Sequence, residues 1–202
     1  LARVTFISVS FRGITDVGLK ELVKLQNLEM LFLYDAQITD AGLKDVAKLQ
    51  KLKILNLSVN KITDAGLKEV GKFQNLTHLF LADTQITAVG LEDVAKLQKL
   101  RNLRLTDTQI TDAGLKDVAK LQKLERLQLN FTRVTNAGLK ELAKLQQLTN
   151  LNLYATKITD EGLKEVAKWQ QLERLSLEIT QVTEAGVGKL QTALPNCEII
   201  GP

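Results

Sequence analysis

The chain has 202 residues, a formal net charge of +4, 45% hydrophobic and 25% charged residues, a balance typical of a folded, water-exposed protein. No stretch approaches the ~20 consecutive apolar residues of a membrane-spanning helix, and a single cysteine, Cys197, excludes an internal disulfide framework or a cysteine-built metal cluster. The chain opens at Leu1 with neither an initiator methionine nor a charged and then apolar leader, as expected of a processed chain or a segment of something longer.

From Val4 the sequence repeats every 24 residues, with units starting near 4, 28, 52, 76, 100, 124, 148 and 172. A period of this length marks a solenoid, in which each unit buries its apolar face only against its neighbours. The unbroken repeat predicts one domain over 1–202, closed by a C-terminal cap over 188–202. At the N-terminal end Val4, Ile7 and Val9 predict a strand with no amphipathic cap before it. In the unit 28–51, Leu31 and Leu33 stand two apart and predict a short strand with both side chains on one face. Ile38 follows. Leu43, Val46, Ala47 and Leu49 then carry the spacing of an amphipathic helix, which Thr39 or Asp40 is placed to cap. The aspartate of each Ile-Thr-Asp is read as a helix cap and the recurring glycine as a site of close helix packing. On the outer helix face the lysines at 24, 48, 72, 96, 120, 144 and 168 each follow an acid by three residues, a spacing suited to ion pairs. The last unit departs at Val187-Gly188-Lys189. Leu194-Pro195-Asn196-Cys197-Glu198-Ile199 then predicts a terminal loop and a final edge strand, with Cys197 a buried, inert thiol in place of a core leucine.

Parallel strands need a crossover between them, and here the helix supplies it. Strands spaced ~4.8 Å apart and helices ~10 Å wide cannot stack straight. The predicted fold class is therefore α/β: a right-handed α/β solenoid, a horseshoe or arc of about eight coils with a parallel concave sheet and convex helices.

The pattern Leu-x-x-Leu-x-Leu-x-x-Thr-x-Ile-Thr-Asp-Ala-Gly-Leu resembles the leucine-rich repeat family from Val4 to about Ile200. The 24-residue unit with Ile-Thr-Asp-x-Gly-Leu is similar to the bacterial repeats common in planctomycete-type proteins, and to the ribonuclease-inhibitor-like and cysteine-containing classes. The resemblance implies a solenoid that presents its exposed strand residues to a protein partner. Where many relatives carry Asn or Cys at the ninth position, this chain has Arg12, Ala36, Asn60 and then Thr84, Thr108, Thr132, Thr156 and Thr180. Threonine hydroxyls are expected to bond a neighbouring coil there, and Ala36 cannot, so this ladder is expected to be weaker toward the N-terminus.

What varies between units lies beside the inward leucines. The third position runs Phe6, Met30, Ile54, His78, Asn102, Arg126, Asn150, Arg174; the fifth includes Phe32, Phe80, Arg104 and Asn152; the seventh includes Tyr34 and Tyr154. The eighth, with Phe11, Asp35, Val59, Asp83, Asp107, Phe131, Ala155 and Ile179, is read as part of the same concave face. Seven of the nine aromatic residues fall in these columns, leaving only Phe73 and Trp169 at core positions. The N-terminal half of the face is apolar and the C-terminal half carries arginine and asparagine. Contiguous exposed apolar surface and aromatic residues are what interfaces enrich.

No catalytic constellation emerges. His78 with Asp83 and Asp107 would leave a cation on an open sheet with no water-excluding pocket, so these aspartates are expected instead to accept bonds from the following turn or to pair with Arg104. The glycines do not cluster as a phosphate loop. The expected function is non-catalytic recognition of a protein or peptide, its acidic groups met by the arginines. No enzyme activity, cofactor, metal or small-molecule substrate is expected. The alternatives are a structural or self-assembling segment, through uncapped ends or the apolar half, and, more weakly, a nucleic-acid-binding surface.

Overall fold

Alternation of one inward leucine with two outward neighbours produces strands of only three residues, each set against its equivalent 24 residues on. The computed structural model describes residues 5–8 and 13–202; Val4, Val9, Phe11 and Arg12 lie outside the described residues. Among these, nine strands form one parallel sheet in strict chain order: β1 Phe6–Ser8, β2 Met30–Phe32, β3 Ile54–Asn56, β4 His78–Phe80, β5 Asn102–Arg104, β6 Arg126–Gln128, β7 Asn150–Asn152, β8 Arg174–Ser176 and β9 Glu198–Ile200. Register is set by the leucines, with Leu31 opposite Leu55 and Leu79 opposite Leu103. Between the strands run α1 Asp16–Leu22, α2 Asp40–Val46, α3 Asp64–Val70, α4 Leu91–Val94, α5 Asp112–Val118, α6 Asn136–Leu142, α7 Asp160–Val166 and α8 Glu184–Ala193. The fold is an α/β solenoid.

A continuous ladder of buried leucine, isoleucine and valine fills the space between sheet and helices. Phe73 and Trp169 sit fully buried within it, as their leucine positions predict. Cys197 is buried as well, at the entry to β9. Six of the predicted ion pairs form: Lys24–Glu21, Lys48–Asp45, Lys72–Glu69, Lys96–Asp93, Lys120–Asp117 and Lys168–Glu165. Their lysines are exposed, so solvent screens each pair and it adds little to stability.

Thr39, not Asp40, caps α2: the Thr39 hydroxyl accepts from Ala41 N–H at 3.2 Å. The aspartate does something the repeat pattern alone does not reveal. Asp40 reaches into the next coil, where Oδ1 accepts from Thr63 N–H at 2.9 Å and Oδ2 from the Thr63 hydroxyl at 2.6 Å. Asp16, Asp64, Asp112 and Asp160 make the same two bonds to Thr39, Thr87, Thr135 and Thr183. Asn136 substitutes with one acceptor and one donor toward Thr159. The acid therefore fastens coil to coil and orients the threonine that caps the next helix. Thr183, through its backbone first and its hydroxyl second, holds the Asp160 carboxyl below its ordinary value. Glycine is required beside this clasp, because a Cβ at Gly66 would press on Asp40 Oδ1 and lie 3.0 Å from Leu43 Cδ1. At Ala88 the acid is missing. That unit begins with a 3-10 turn, Ala88–Gly90, and the side chain of Thr111 forms no cap hydrogen bond.

The ninth-position ladder also differs from expectation. Thr84, Thr108, Thr132 and Thr156 donate within their own coil, to the carbonyls of Leu81, Leu105, Leu129 and Leu153. Asn60 alone among these crosses coils: its Oδ1 accepts from Ala36 N–H and Ile38 N–H at 3.1 and 2.8 Å, and its Nδ2 donates to Leu33 C=O at 2.6 Å. A threonine hydroxyl is too short to span the gap, whereas a carboxamide offers both a donor and an acceptor further from the backbone. The strongest rung of this kind is thus near the N-terminus.

Candidate functional site

Because the strands hold only the third, fourth and fifth positions, the fourth turns inward and the third and fifth form the concave face. Phe6 stands about half exposed, at 51%, and its ring meets Phe32 edge to face at 5.7 Å. Met30 and Ile54 continue the apolar patch, half-buried across adjoining strands. Tyr34 is exposed at the end of β2. His78 lies 6.5 Å from the Phe80 ring, and its Nδ1 is 2.9 Å from the Thr77 hydroxyl. Burial, reinforced by Arg126, lowers the His78 pKa, so the imidazole is neutral at pH 7 and joins the apolar half.

Arg104 marks the change of character. Its guanidinium lies 5.5 Å from the Phe80 ring centroid and its Nε donates to Gln128 Oε1 at 2.6 Å, a stacked and bonded arrangement worth about 1 kcal/mol for the cation–π part alone. The expected pairing of Arg104 with the aspartates is thus replaced by aromatic and amide contacts. Arg126 is exposed with no ion pair among the described residues, and Arg174 reaches Glu198 Oε2 at 3.1 Å. Arg126, Asn150, Asn152 and Arg174 line one hollow of about 190 Å³ over β6 to β8. The Asn102 carboxamide oxygen is buried in the same face without a hydrogen-bond partner among the described residues, a rare state for a buried polar atom. Tyr154 packs edge to face on Phe131 at 5.1 Å. All fourteen of the predicted positions thus fall on this face or at its strand ends.

The eighth column does not. Asp35, Val59, Asp83, Asp107, Phe131, Ala155 and Ile179 have positive φ, between 49° and 60°, and the chain turns there off the sheet onto a lateral loop edge. This uniform left-handed turn was not readable from the repeat, since only the aspartates suit it. Among the described residues no three or more His, Cys, Asp or Glu side chains gather to hold a metal, and no helix is long and apolar enough to cross a membrane.

A solenoid that holds a variable sheet face on a constant, clasped scaffold is the architecture of a repeat-built interaction module. Residues 41–199 match the model of the leucine-rich repeat region, and the chain belongs to the leucine-rich repeat family. No curated protein sequence matches it significantly. Among solved structures it is similar to internalin C2 of Listeria monocytogenes, with TM-score 0.75 and 28% identity over 98% of this chain and 80% of that one. It is also similar to the internalin InlF of the same organism, with TM-score 0.75 and 24% identity over 90% of this chain. A leucine-rich repeat protein of Leptospira interrogans shares the fold at TM-score 0.59 and 22% identity, over 89% of this chain and 56% of its own. The chain spans about half, 49%, of the InlF chain.

Proposed function

We propose that the chain is a recognition module that takes a protein or peptide on its concave sheet, without catalysing a reaction. The supporting observation is the division of that face: Phe6, Met30, Phe32, Ile54 and Phe80 form an apolar anchor, and further along the sheet Arg126 and Arg174, with Asn150 and Asn152, edge a hollow that Leu127, Leu151, Leu175 and Ile200 also line. An acidic group on the partner would settle between the arginines, where asparagine amides offer further donors, while an apolar side chain covers the Phe6–Phe32 pair. Membership of the leucine-rich repeat family favours protein partners in general. The test is capture from a matched lysate or secretome by the intact chain, compared with F32S/F80S. Loss of capture with unchanged circular dichroism is expected. Equal capture by both proteins would overturn the assignment.

A further inference from the structure

The lateral loop edge carries a second pattern, independent of the concave face. Side chains at the eighth and tenth positions flank the buried ninth residue and share this edge; in coils 3 and 4, Val59, Lys61, Asp83 and Gln85 line one shallow depression there. From coil 4 onward the charge along the edge reverses, with Asp35 in coil 2 and Lys61 in coil 3 lying outside this run. Asp83 and Asp107 stand in adjacent coils on one half, and Arg133 and Lys157 in adjacent coils on the other, all exposed and without an ion pair among the described residues. Neighbouring coils are ~4.8 Å apart, so within one chain each pair sets like charges side by side. Val59 and Ile179, at opposite ends of this stretch, are β-branched residues held at φ 60° and 52°, where such side chains are strained. Ile179 is nonetheless 66% exposed.

We propose that this edge is the contact surface of an antiparallel homodimer, its occupant a second copy of the chain. A two-fold axis passing radially between coils 5 and 6 lays one edge on the other in reverse order. Coil 5 then faces coil 6, coil 4 faces coil 7 and coil 3 faces coil 8. That single operation lays eighth position on eighth: Val59 on the other copy's Ile179, Asp107 on its Phe131 and Asp83 on its Ala155, with the long side chains of its Arg133 and Lys157, two residues further along the chain, reaching diagonally to the two aspartates, each contact occurring twice as a closed isologous interface requires. It also keeps both arcs curved the same way, so the two concave faces lie side by side and open. The charge complementarity that fits a second copy is built into one chain, which is why the occupant is not a foreign protein.

A contact confined to one loop edge falls short of the ~800 Å² per partner of a standard interface, so the dimer is weak and is to be sought at about 0.5 mM protein. Sedimentation of the intact chain at about 10 mM ionic strength, where charges act over about 30 Å, should give twice the monomer mass, reverting to monomer at about 1 M, where they act over about 3 Å. D83K/D107K and R133E/K157E should each be monomeric at low salt, and their equimolar mixture should regain the doubled mass. Circular dichroism checks that both are folded. If D83K/D107K fails that check, R133E/K157E and the salt response of the unmodified chain still decide. A wild-type chain that stays monomeric at low salt, a folded charge-reversed variant that dimerises alone, or a mixture of folded variants that stays monomeric would overturn the proposal.

Discussion

Replacing Ala88 by aspartate should stabilise the protein. Ala88 occupies the position of the clasp acids, and its intended recipient is ready: Thr111 has φ −126° and ψ 176°, as against −116° and −177° for the clasped Thr63. The Thr111 backbone is thus already placed to present its N–H and hydroxyl to the new carboxylate. Hydrogen bonds to charged groups contribute about 1.5–3 kcal/mol each when well sheltered; with this site half open to water, we expect about 1–2 kcal/mol for A88D in total, discounted for solvent. In a chain of this size each kcal/mol moves the melting temperature by about 2–4 °C, so thermal unfolding should shift up by about 2–8 °C. The gain carries a pH signature. On the example of Asp160, whose carboxyl Thr183 holds below its ordinary value, the aspartate introduced at position 88 should stabilise above the unfolded carboxylate range near 3.8 and lose that contribution as pH falls through its lowered value. Thr111 amide exchange should slow in parallel. A neutral or negative shift at pH 7, with the Thr111 amide unprotected, would refute the clasp as a fastening device.

Asn60→Ala should cost about 2–6 kcal/mol, because it strands the buried amides of Ala36 and Ile38 at about 1–3 kcal/mol each; Thr108→Val, which removes one bond within its own coil, should cost about 1 kcal/mol, and urea unfolding of both would compare them. Gly66→Ala, which in an ordinary helix interior gains about 0.5–1 kcal/mol, should here destabilise, since its methyl meets Asp40 and Leu43; calorimetry gives the sign. Cys197, its pKa pushed up to about 11 by burial and then by Glu198, should react with a thiol reagent at pH 8 only after unfolding, and fast labelling of the native chain would contradict that.

Much of the architecture follows from two residue spacings. Leu31 and Leu33 announce a strand, and Leu43, Val46 and Ala47 a helix. Thr39 was recognisable as one of two candidate caps, and Phe73 and Trp169 as core substitutes. What the pattern hid was direction across coils. Asp40 and Thr39 are adjacent in sequence, and each has the chemistry of a cap; only stacking reveals that the aspartate serves the next coil's Thr63. Asn60 and Thr84 share a column and a hydrogen-bonding character, and side-chain length alone decides which one crosses. The concave positions were readable because strand alternation is local. The left-handed eighth residue was not, because Val59, Phe131 and Ile179 are residues one would never choose for positive φ.

The gap at Ala88 has a mechanical meaning. In a stack coupled only through neighbours, stiffness against bending is set joint by joint, and the junction between α4 and α5 is fastened by neither an acid nor a cap bond from Thr111. That softer joint lies beneath the seam where Phe80 gives way to Arg104 on the opposite face. The arc is therefore expected to yield first where its apolar and basic halves meet, and on the proposed function its curvature would adapt to a partner at that joint. A88D, by fastening that joint, trades such accommodation for rigidity.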